Sequence, residues 1–95
     1  MSAYLVVQAK VHDGDRFKIY LSQVPELIAK YGGKYLARGG QRVQLEGQDQ
    51  DQRWVVIEFP TMEKAQQWYH SEAYQRLKAL RMDAAEGTLV LLEGV

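Results

Sequence analysis

Two arginines and a dense set of aromatic side chains carry the chemistry open to this chain. Arg81 follows Tyr74 by seven residues on the apolar stripe of the last expected helix, which aims its guanidinium inward. A buried guanidinium needs an anionic partner. Two readings stay open for Arg81 and for Arg38: an internal ion pair, with Glu58 or Glu46 as partner, or a clamp on a substrate carboxylate, which the planar fork suits. Tyr20, Tyr31, Tyr35, Trp54, Trp68, Tyr69 and Tyr74 are a rich aromatic set for so short a chain. Most belong to a core, yet tyrosine hydroxyls that converge make an apolar pocket with polar tips, suited to a small aromatic or lipid-like acid. In that reading Arg38 or Arg81 holds the anion, and Tyr31 and Trp68 wall the pocket. Tyr35, Tyr69 or Tyr74 then donates a proton or orients the substrate.

The segment GGKYLARGG, Gly32 to Gly40, is the most distinctive stretch. It is neither a dinucleotide fingerprint, whose glycine spacing it lacks, nor a P-loop, since no Ser or Thr follows Lys34. Gly32-Gly33 reads as a helix stop. Gly39-Gly40 reads either as a bulge or as a place where a ligand approaches the backbone beside Arg38. Ser71 is an N-cap or a substrate contact, and its neighbour His70 diverges from it as a base. His12 with Asp13 and Asp15, and His70 with Glu72, match no ligand spacing of known geometry, so neither a metal nor a cofactor is expected. The chain has no cysteine, which excludes disulfides, zinc-thiolate sites and a thiol nucleophile.

Hydrophobic periodicity supplies the elements that must position these residues. Alternation over Ala3–Val11 predicts a strand; Leu5, Val7, Ala9 and Val11 share one face. His12 to Asp15 is a turn that offers Asp13 or Asp15 as a cap, and Phe17, Tyr20, Leu21, Val24, Leu27, Ile28 and Tyr31 mark a helix bent at Pro25. Lys34–Arg38 predicts a second strand, interrupted by Gly39-Gly40 and resuming over Gln41–Glu46, with a polar hairpin loop at Gly47–Gln52. Arg53–Phe59 is the clearest strand. Thr61 caps a helix striped by Met62, Ala65, Trp68 and Tyr69; Ser71 restarts it through Tyr74, Leu77, Leu80 and Arg81 to about Ala84. Gly87 turns the chain into a last strand, Thr88–Glu93.

This order, βαββαβ, predicts an α+β ferredoxin-like sandwich, a four-stranded antiparallel sheet with its helices on one face. Residues 1–95 fit one domain. The third and fourth strands are apolar on both faces, so the open sheet face needs cover, most simply from a second copy in a homodimer. Twelve Lys and Arg against twelve Asp and Glu give no field that recruits nucleic acid. The third strand also lacks the glycines of an RNA recognition module. No stretch is long and apolar enough for a bilayer, and the start has no signal-peptide character, so a cytoplasmic location without membrane contact is the expectation.

GGKYLARGG, with Leu45-Glu46-Gly47, Val55 to Pro60 and Ala65 to Gln75, resembles the domain of unknown function family 1330 over nearly the whole chain. The resemblance implies a dimeric α+β barrel, in which two ferredoxin-like sheets pack face to face. Similar barrels include cofactor-free monooxygenases, haem-degrading enzymes, dehydratases, lactone isomerases and members without known activity, so the resemblance implies no single reaction. Many relatives carry a histidine directly before the first glycine pair, where this chain has Tyr31. Two functions follow as expectations: an enzyme acting without a cofactor on a small apolar or aromatic carboxylic substrate, or a non-catalytic dimeric ligand-binding or interaction module. A cavity of a few hundred Å3 touching Arg38 or Arg81 and two tyrosine hydroxyls separates the first from the second.

Overall fold

The computed structural model describes residues 1–95. Its elements run β1 (Ala3–Val11), α1 (Gly14–Lys30), β2 (Lys34–Arg38), β3 (Arg53–Phe59), α2 (Met62–His70), α3 (Glu72–Ala84) and β4 (Ala85–Glu93). The strands form one antiparallel sheet in the order β2-β3-β1-β4. This is the α+β arrangement read from the sequence.

Each helix begins where a short polar side chain accepts an otherwise orphaned backbone N–H. Asp13 accepts from Arg16 (3.1 Å), Thr61 from Lys64 (3.0 Å) and Ser71 from Tyr74 (3.1 Å). Ser71 also donates its hydroxyl to the Trp68 carbonyl (2.7 Å), so one residue closes α2 and opens α3. α1 runs unbroken through Pro25 and buries Phe17, Tyr20, Val24 and Ile28. It stops at Tyr31 because Gly32 takes a positive φ of 80°, open to glycine without steric cost.

Alternation decides what the sheet buries. Leu5, Val55, Ile57 and Phe59 face the helices and form the core with Trp68 and Tyr74. Tyr4, Val6, Trp54, Val56, Val90 and Leu92 share the outer face, where Trp54, Val90 and Leu92 remain 38%, 45% and 53% exposed. No helix is long and apolar enough to cross a membrane.

Three expectations are corrected. β2 ends at Arg38 and does not resume, and Gln41–Gln52 forms no strand: Val43 and Leu45, which alternation would put on one face, find nothing to pack against and stay exposed. The bulge lies at Leu36, where the pairing moves from Tyr35↔Ile57 to Ala37↔Val56, and not at the glycine pair. Gly87 is no turn: β4 begins directly after α3 at Ala85, and Gly87 pairs with Ala9 inside the ladder.

Candidate functional site

A cleft opens between the helix-facing side of the sheet and helix α1. Its floor is apolar, from Leu5, Val7, Val55, Ile57 and Leu89; its roof carries Phe17, Tyr20, Leu21 and Val24. The other lining side chains include three guanidinium groups, those of Arg38, Arg53 and Arg81, and no carboxylate or imidazole. Counted with its mouth the cleft measures about 540 Å3, but only about 40 Å3 is wide enough to admit water. That is far smaller than the few hundred Å3 that would favour the enzyme reading.

The inner end is built by α2 and α3. Trp68 is 1% exposed and Tyr74 fully buried; their rings lie 4.2 Å apart, and the Tyr74 hydroxyl shares a 3.0 Å hydrogen bond with that of Tyr20. Arg81 is 9% exposed, about two turns along the same helical face from Tyr74. Its Nε and the indole Nε1 of Trp68 are both buried donors without an acceptor, and both residues line the cleft. Buried donors are almost always satisfied, so two left open on one cleft set these residues apart from the rest of the core.

The rim is built by β2 and β3. The bulge at Leu36 sets Arg38 opposite Val55, a helix-facing residue, as Tyr35 is opposite Ile57. Arg38 therefore lies over the Tyr35 ring, 4.4 Å from its centre. Arg53 precedes Val55 by two, lies 5.8 Å from the Phe17 ring centre, and borders Gly39.

The expected internal ion pairs are absent. Glu58 pairs instead with Lys34 on the outer face (3.8 Å), Glu46 makes no salt bridge, and no carboxylate lies within 4 Å of Arg38, Arg53 or Arg81. The phenols do not supply the missing negative charge. Burial, followed by the hydroxyl of Tyr74, pushes Tyr20 well above the ordinary tyrosine range, against the pull of Arg81. Burial also raises Tyr35, with Arg38 and Arg53 opposing it. Both rings stay neutral donors beside uncompensated cations.

Among the residues singled out from sequence, the fold brings Tyr35, Arg38, Trp68 and Arg81 to one cleft, with Tyr74 behind Tyr20. Tyr31 caps α1 and packs against the core outside the cleft. Tyr69 stands between Trp68 and His70 under Lys78, off the cleft. Ser71 spends its hydroxyl on the helix junction. Gly40 faces open space, and Gly39 touches the site only through Arg53. No three His, Asp or Glu side chains gather in one place. Arg53 was not among the sequence candidates, although alternation back from Val55, Ile57 and Phe59 puts it on the helix-facing side.

The fold has close structural relatives at low identity. A protein of unknown function from Rhodopseudomonas palustris superposes with a TM-score of 0.81 at 16% identity, over 99% of this chain and 82% of that one. A dimeric ferredoxin-like protein of unknown function from Jannaschia sp. CCS1 gives 0.74 at 12%, over 99% and 100%. SnoaB, a cofactor-independent oxygenase from Streptomyces nogalater, gives 0.69 at 12%, over 99% and 93%. No curated protein matches the chain. At these identities the structural likeness speaks for the fold alone. Residues 2–95 match the family described as Domain of unknown function (DUF1330), and the chain belongs to that family.

Proposed function

We propose that the cleft binds a small carboxylic acid with an apolar body, its carboxylate on Arg81 Nε and Trp68 Nε1. The observation that carries this reading is the pair of buried, unpartnered donors on one apolar cleft. An anion there receives charge-assisted hydrogen bonds in a medium of low dielectric, where such bonds are strong. The narrow interior suits a slim apolar body.

Binding is favoured over acid–base catalysis because the lining holds donors and no base. A catalytic role without a cofactor is the second reading. It draws on Tyr20 and Tyr35, held neutral as hydrogen-bond donors beside the arginines, which stabilise negative charge developing on a substrate. The outer sheet face supports a homodimer. Trp54, Val90 and Leu92 form an exposed apolar patch there, and a similar fold from Jannaschia is dimeric.

A thermal-shift screen of short and medium-chain carboxylic acids tests the binding reading, because a ligand bound only by the folded state raises Tm by mass action. Acids raise Tm and their uncharged amides do not; the shift disappears in Arg81→Met. Equal shifts with acid and amide contradict the anion site.

A further inference from the structure

Positive charge stands at two places in the cleft. Arg81 is buried at the inner end, beside Trp68 and Tyr20. Arg38 and Arg53 stand at the rim, on neighbouring strands, both acting on Tyr35. Side chains without charge line the space between. One carboxylate on Arg81 leaves both rim guanidinium groups without a counter-charge, since no side-chain carboxylate lies within 4 Å of either.

Each rim guanidinium lies against a neighbour. Gly39 has φ +65°, donates its N–H to the Trp54 carbonyl (2.9 Å), and presents a bare α-carbon to Arg53. A Cβ there would stand 2.8 Å from Arg53 Nε and 3.2 Å from Cζ and Nη2. Any side chain at Gly39 therefore pushes the guanidinium off its seat. Arg38 stacks on Tyr35, 4.4 Å from the ring centre.

We infer that the ligand is a diacid: a slender apolar chain with an anionic group at each end, one on Arg81 and Trp68, the other on Arg38 and Arg53. The inference rests on the carboxylate-binding reading above and narrows its substrate class. Width argues for an unbranched body: the free space of about 40 Å3 admits only part of a chain, and the remainder lies in the open part of the cleft, about 540 Å3 with its mouth, toward Arg38 and Arg53.

Calorimetric titration of the full chain with hexanoate and adipate tests it, since the two differ only in the second carboxylate. Adipate is expected to bind about tenfold tighter at low salt, the effect of one added charge-assisted hydrogen bond. Added salt should shrink that margin, because the rim is partly exposed. The margin, read as the ratio of the two affinities on the same variant, should vanish in the double variant Arg38→Met/Arg53→Met and fall in Gly39→Ala, whatever happens to the affinity for hexanoate itself. Equal affinity of the two acids for the unaltered protein overturns the diacid inference and leaves the carboxylate reading standing. A margin that survives removal of both rim arginines overturns it as well. Binding of neither acid sinks both readings together.

Discussion

The guanidinium of Arg38 lies 4.4 Å from the centre of the Tyr35 ring, although the two are three residues apart in one strand. In a regular strand that spacing puts side chains on opposite faces. The extra residue, Leu36, brings both to the helix side and itself stays half exposed to solvent. A single bulge thus supplies the cleft with one of its cations. Replacing Arg38 by Met should lower stability by about 0.5–1 kcal/mol in urea denaturation, the worth of an exposed cation–π contact. A loss beyond about 2 kcal/mol would mean that Arg38 has a structural role not accounted for by this contact.

Arg81 should behave in the opposite way. It buries a cation with no carboxylate within reach and an unsatisfied Nε, which disfavours the folded state. Arg81→Met keeps most of the volume and removes the charge, so the variant should be more stable by about 1–3 kcal/mol while losing carboxylate binding. Destabilisation in urea would show that the guanidinium is satisfied after all.

The hydroxyls of Tyr20 and Tyr74 should be coupled. Tyr74→Phe strands the Tyr20 hydroxyl and should cost about 1–3 kcal/mol. Tyr20→Phe on top of it should cost little more. The double-mutant cycle then yields a coupling of about 1–3 kcal/mol, whereas additive losses would dissolve the pair.

Alkaline pH should expose the buried phenols. Folding raises the pKa of Tyr20, and that of Tyr35 with it, above the ordinary value near 10. The neutral form is the one the fold favours, so the stabilisation is complete below pH 10. Above it the unfolded chain sheds protons that the folded chain keeps, and stability falls by about 1.4 kcal/mol per pH unit for each such tyrosine. Urea midpoints between pH 9 and 11.5 should decline less steeply in Tyr20→Phe. An unchanged slope would contradict the shift.

The homodimer should depend on the outer sheet face. Light scattering should give a mass near twice 10.9 kDa for the unaltered chain, and a monomer for Val90→Lys/Leu92→Lys. A monomer for both sets the dimer aside.

Much of this architecture was legible because it follows from two periods. Alternation marked β1 and β3, and steps of three and four marked the faces of α1, α2 and α3, placing Trp68, Tyr74 and Arg81 inward. What stayed hidden arises where backbone departs from period. The Leu36 bulge has no residue signature, so the glycine pair at Gly39-Gly40 drew the expectation of a bulge instead. The apolar residues of Arg53–Phe59 dominate the pattern of that strand and hide Arg53, although alternation from Val55 places it on the helix-facing side. Partners of arginines depend on three-dimensional distance, so Glu58 looked available to Arg81 until the sheet put it on the outer face beside Lys34.

The two tryptophans permit the most direct test of the carboxylate site. Trp68 Nε1 is a buried, unpartnered donor at the cleft, and Trp54 lies on the outer face of the sheet. In a proton–nitrogen correlation spectrum of the labelled chain titrated with hexanoate, the Trp68 indole and the Arg81 Nε–H resonances should move downfield and saturate together, with the Trp54 indole as a stationary reference. A Trp68 indole that stays in place while hexanoate binds elsewhere, or does not bind, contradicts the site.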